Sequence, residues 1–297
     1  MRALQRTHRP ILLALATAIS VLIAPAGLPS APPEDSPARK SVEELIQSSG
    51  GTVSLAFHSI DNEQELYLHE EERYDDSNAL RLPIMIELYA EAAEGELRLT
   101  DPLPVHDGVR VTPDATPYHM DRRADPTVTR AVGKTRTLGE LCEDMITHNS
   151  DFATNLLLER LTLPRVLGRI ETLGAEGMEI GAAFPNRDLN HTTTRAVFML
   201  LWNLATEQAV SSDASKEMVG LLARSSLHAS PTPPPAPLPS PARPPRPTTP
   251  GSSALNDAVI IYGAHSFVLV AQVRGLKDPG ASAELISKIS KLLNDSI

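Results

Sequence analysis

YDDSNALRLPI, residues 74–84, decides how this chain folds. Leu80, Ile84 and Leu88 recur at fourfold spacing, which predicts a helix with one apolar face running from Asn78 to Glu94 and ended by Gly95. Asp75, Asp76 and Ser77 are short polar side chains placed to accept the orphan N–H groups of its first turn, so Ser77 reads as part of an N-cap. Asn78 and Arg81 stand three residues apart and therefore share a helix face. Ser77, the one serine in the stretch, points about 100 degrees away from Asn78.

Working outward, three further runs carry the same stamp. MITHNSDFATNLLLERL (145–161) is a polar corner followed by a helix, and NHTTTRAVFMLL (190–201) is a threonine-rich start to another. LNDAVIIYGAHSFVLVAQVRG (255–275) reads as two strands, 258–262 and 267–273. Together with 74–84, these runs resemble, in order and spacing, the motifs of the class A β-lactamase and penicillin-recognising serine hydrolase family. The resemblance implies an antiparallel sheet flanked by helices plus an all-helical lobe, an α/β (α+β) architecture spanning residues 41–297. It also implies β-lactam or peptidoglycan-like ligands and no cofactor.

The positions on which that family's chemistry depends carry other residues here. Aligned on Leu82-Pro83-Ile84, the family's nucleophilic serine falls on Asn78 and its lysine base on Arg81. Anchoring on Ala153 and Asn155 places Asn149 at the proton-relaying serine, Ser150 at the aspartate and Asp151 at the substrate-binding asparagine. None of the six lysines has a serine three residues before it, and none opens a Lys-[Ser/Thr]-Gly triplet, so the signature set is absent in every register. That triplet's strand would fall near Pro247, and the deacylating glutamate on Asn186.

A carboxamide has no proton that a base can remove to unmask a nucleophile, and a guanidinium stays protonated where a buried lysine can be tuned to lose its charge. The reading is therefore a catalytically degenerate member that binds a β-lactam, a peptidoglycan fragment or a partner in the cleft around Asn78, Arg81, Asn149 and Asp151. The alternative is an active serine hydrolase, a β-lactamase or D,D-peptidase, with Ser77 or a residue the motifs do not reveal as nucleophile.

Elsewhere the chain reads plainly. Arg2, Arg6 and Arg9 precede an apolar run at 11–24, and Ala24-Pro25-Ala26 suits signal peptidase, so residues 1–26 read as a signal peptide for export, with an uncleaved single-span membrane anchor as the alternative. Residues 27–40 read as a Pro/Ser-rich tether, and Ser41 opens a short helix with capping-box spacing. Val53, Leu55 and Phe57 predict a strand with one core face, paired with 65–68, while His58-Ser59 and His69 read as surface strand ends. Helices are expected at 137–147, 151–161, 164–173, 194–206, 213–224 and 281–294, with Trp202 and Phe198 facing the core.

The lone Cys142 cannot pair within the chain and reads as buried, and the nine histidines show no metal spacing. A net charge of -10 excludes nucleic-acid binding through a basic stripe. Gly133-Lys134-Thr135 ends like a phosphate loop but lacks the leading glycine and strand, and His148, Ser150 and Asp151 stand too close on one turn to form a triad. Eleven of the 26 prolines fall between Pro231 and Pro250, so 229–250 reads either as an extended linker or, from its codon alphabet, as a compensated frameshift over the Lys-Thr-Gly strand.

Overall fold

Helix α1 (Pro37–Ser49) starts where the sequence places a tether: Ser36 accepts from Arg39 N, and Pro37 occupies the first helical position, where a missing N–H costs nothing. The capping box read at Ser41 is thus corrected, since Ser41 lies inside the helix. The computed structural model describes residues 36–75, 78–119, 125–184, 189–224, 255–276 and 278–297. The leader, tether residues 27–35, Ser77, Asn186 and the proline-rich 229–250 lie outside the described residues.

Strands β1 (Thr52–Ser59) and β2 (Glu65–Leu68) form a hairpin, and β8 (Leu255–Ile261) and β9 (Phe267–Arg274) form a second. β1 pairs antiparallel with β9, Leu55 opposite Ala271, which gives a sheet of order β2-β1-β9-β8. α1 and α9 (Pro279–Ser296) pack together over one face, burying Val53, Leu55, Phe57, Leu269, Val273, Ile286 and Ile289. α7 (Thr194–Ala205) lies on the other face, over Ala56, Val268 and Val270. β1 is therefore buried on both faces, not one, and His58 lies in the interior rather than at a surface strand end; His69 is exposed.

The remaining elements build the helical lobe. β3 (Arg73–Tyr74) leads into α2 (Arg81–Ala93), the central helix, nearly all of which is buried. Around it lie β4 (Pro102–Pro104) paired with β5 (Thr135–Thr137), α3 (Pro126–Thr129), α4 (Leu138–Thr147), α5 (Asp151–Leu161), α6 (Leu163–Thr172) and α8 (Ser212–Ala223). β6 (Glu179–Ile180) and β7 (Asn190–Thr193) join β3 in a small sheet of order β3-β7-β6 at the lobe's edge. Cys142 is buried on α4, and burial pushes its thiol up to about 12. Phe198 is buried and stacks on the partly buried Trp202 at 5.9 Å.

The expected start of the central helix at Asn78 is corrected to Arg81, and Pro83 supplies the reason. With no N–H, Pro83 cannot bond back to the Ala79 carbonyl, so that carbonyl takes Leu82 N and the Asn78 carbonyl takes Arg81 N, both at 3.1 Å, a tight turn ahead of the α ladder. Leu80 sits at the N-cap position with no side-chain cap. No helix among the described residues is long and apolar enough to cross a membrane.

Candidate functional site

α2 delivers Arg81 to the seam where α4 turns into α5. Its side chain is 2% exposed, and its guanidinium donates from all three nitrogens. Nε bonds Thr154 Oγ1 at 3.1 Å; Nη1 bonds Asn78 Oδ1 at 2.5 Å and Asn149 Oδ1 at 3.2 Å; Nη2 bonds the Asn149 carbonyl at 3.2 Å and Asp151 Oδ1 at 2.5 Å. A guanidinium carries five N–H donors in a fixed fork, and here five acceptors among the described residues meet them. The Phe184 ring lies 5.9 Å from Arg81 Cζ, adding a cation–π contact. The structure therefore brings together Asn78, Arg81, Asn149 and Asp151 around one cation; Ser77 lies outside the described residues.

The corner that presents these acceptors has local causes. Asn149 holds a φ of 55°, the left-handed region that asparagine tolerates better than most residues, and this turn aims both its carbonyls at Arg81. Ser150, expected only as a motif position, is the N-cap of α5: its Oγ accepts from Ala153 N at 2.9 Å and donates to Asp125. Asp125 caps α3 at the same time, so one carboxylate ties α3 to the start of α5. Asp151, at the first position of α5, also faces the helix's positive end, where a carboxylate is favoured.

A second carboxylate supports the corner from beneath. The Asp144 main-chain oxygen accepts from His148 N and Ser150 N, both at 3.2 Å, and its side chain accepts from Arg136 Nη2 at 2.8 Å. Burial raises the Asp144 carboxyl, an effect opposed by Arg136 and His148 and reinforced by Asp125. On the opposite wall, Asn155 clasps the Phe184 backbone in both directions, Nδ2 to the carbonyl at 2.9 Å and N–H to Oδ1 at 2.8 Å. Asn190 Oδ1 accepts from Gly181 N at 3.0 Å and Ala182 N at 3.2 Å, fixing the turn after β6 that carries Phe184.

Asp125, Asp144, Thr154 and Phe184 were not singled out from sequence. Only Asp125-Pro126, with an N-cap residue before a first-turn proline, advertises itself locally; Asp144 acts through its neighbours Arg136, His148 and Ser150 without a sequence signature, and Thr154 and Phe184 act through contacts distant in sequence. Two surface grooves, of about 560 Å³ between α1 and β2 and about 360 Å³ beside β6 and β7, are lined by other residues.

Solved structures share this arrangement of elements. A β-lactamase from Sphaerobacter thermophilus DSM 20745 is 20% identical with a TM-score of 0.61, covering 86% of this chain and 94% of that one. A PBP-A variant in an acyl-enzyme complex with penicillin G is 18% identical with a TM-score of 0.66, covering 89% and 98%. The TLA-1 extended-spectrum β-lactamase is 15% identical with a TM-score of 0.67, covering 87% and 97%. At such identities the likeness establishes the fold. No match was found among curated proteins. The family model described as the β-lactamase enzyme family matches residues 37–297, and the chain belongs to that family.

Proposed function

We propose that this protein is an exported member of the β-lactamase family that binds a β-lactam, a peptidoglycan fragment or a protein partner without hydrolysing it. The observation that carries the reading is the environment of Arg81. At the position of the family's base stands a cation bonded to five oxygen acceptors, among them Asn78 at the nucleophile's position. An amide side chain forms no acyl-enzyme, and a guanidinium so paired does not take up a proton. Replacing a nucleophile alone costs several powers of ten in rate, and here base and relay positions are altered too.

Polar side chains still line the corner, which supports a retained binding role, and the PBP-A variant bound to penicillin G supports β-lactams as the first ligand class to test. The apolar run at 11–24 with its preceding arginines supports export. The competing reading, hydrolysis through Ser77, is separated by one assay. Purified protein is incubated with a fluorescent penicillin and with a chromogenic cephalosporin. The proposal expects reversible binding with neither covalent label nor colour change; label or turnover abolished by Ser77→Ala overturns it.

A further inference from the structure

His58 and Glu65 face each other across the β1–β2 hairpin, on the side covered by α7, with Nε2 and Oε2 3.6 Å apart. Both side chains are sealed from water, 9% and 2% exposed, and Trp202 of α7 packs on the imidazole at 4.4 Å. His58 Nδ1 lies 2.6 Å from the Ser59 carbonyl, which only accepts, so Nδ1 carries a hydrogen and Nε2 is the ring atom turned to the carboxyl. Among the described residues Glu65 Oε2 and the neighbouring Tyr67 hydroxyl are buried with no close hydrogen-bond partner, although the hydroxyl lies near enough to act on the carboxyl and lower it. Buried polar atoms are almost always paired, so these two mark a place where the protonation state decides whether contacts are satisfied.

We propose that His58 and Glu65 form a proton-dependent latch that holds β2 against β1 and α7, fastened while the pair retains its proton and slackened when that proton is released to solvent. With one proton between Nε2 and Oε2 the pair buries no net charge. Without that proton a carboxylate faces a lone pair in a dry interior, and β2, the sheet's edge strand, is the element free to move outward. The other groups acting on the carboxyl are few. Tyr67 of β2 bears a hydroxyl that burial pushes above its ordinary range, Glu63 precedes the strand, and Arg195 of α7 acts from its surface pair with Glu71.

Burial is the largest influence on Glu65 and raises its carboxyl above the ordinary 4.5, against the opposing effect of His58. A carboxyl raised on folding contributes stability that is complete below its unfolded pKa and is lost as the pH climbs through the folded value.

The test is urea unfolding of the full chain from about pH 4.5 to about pH 8, comparing wild type with Glu65→Gln. One proton limits the effect to at most about tenfold in the folding constant per pH unit, so the ratio of wild type to variant falls with rising pH and then levels. Curves that stay parallel overturn the latch. Should Glu65→Gln fail to fold, amide exchange on the wild type decides instead. The latch expects protection of β2 relative to β9, corrected for intrinsic rates, to drop between about pH 5 and about pH 8; a constant ratio refutes it.

Discussion

Replacing Arg81 by methionine keeps the bulk of the side chain on α2 and removes its five donors and its charge. Of the acceptors left behind, Asn78 is exposed and rehydrates. The Asp151 side chain is 28% exposed and rehydrates in part, whereas Thr154 is fully buried. Removing one partner of a buried ion pair costs about 3–5 kcal/mol, and the partial exposure of Asp151 puts this case near the lower end, about 3 kcal/mol. Arg81→Lys keeps the charge but offers three donors to five acceptors from a single atom, and should cost about 1–2 kcal/mol. The assay is urea denaturation at neutral pH with unchanged m-value. If Arg81→Met falls within about 0.5 kcal/mol of wild type, the guanidinium is not the tie that holds the α4–α5 corner, and the reasoning fails.

Asn155→Ala removes both bonds to the Phe184 backbone and should destabilise by about 2–3 kcal/mol, with exchange at residues 181–184 rising before that of α5. Thr137→Ala removes the capping box of α4, in which Thr137 Oγ1 accepts from Glu140 N and Glu140 reaches back to Thr137 N, and thermal unfolding should report a loss of about 1 kcal/mol. Cys142, with its thiol pushed up to about 12, should resist alkylation in the native protein across neutral pH and react at once in urea. Rapid native-state labelling would place the thiol at the surface and contradict its burial.

Helices written in strong local code were legible in the sequence. α5 begins and ends where its letters say, because Ser150 caps it and Leu156, Leu157 and Leu161 sit on its inward side. The order of motifs gave the architecture, and Asn78, Arg81, Asn149 and Asp151 meet as the family resemblance implies. What the sequence hid depended on partners far along the chain. Strand β1 alternates large and small residues, which reads as one buried face; the small ones, Ser54 and Ala56, are small because α7 lies over them. Ser54 Oγ meets Thr194 Oγ1 of α7 at 2.7 Å, a contact across 140 positions that no local pattern signals. The start of α2 was hidden differently, since Pro83 falls within the first turn and shifts the onset three residues without breaking the apolar spacing.

The central claim is that the corner around Arg81 supports no acyl transfer, and intact-protein mass spectrometry after prolonged incubation with penicillin G addresses it most directly. The account predicts an unmodified mass at every time point, for the wild type and for Ser77→Ala alike. A mass increase equal to one intact penicillin on the wild type, stable to denaturation, would contradict it.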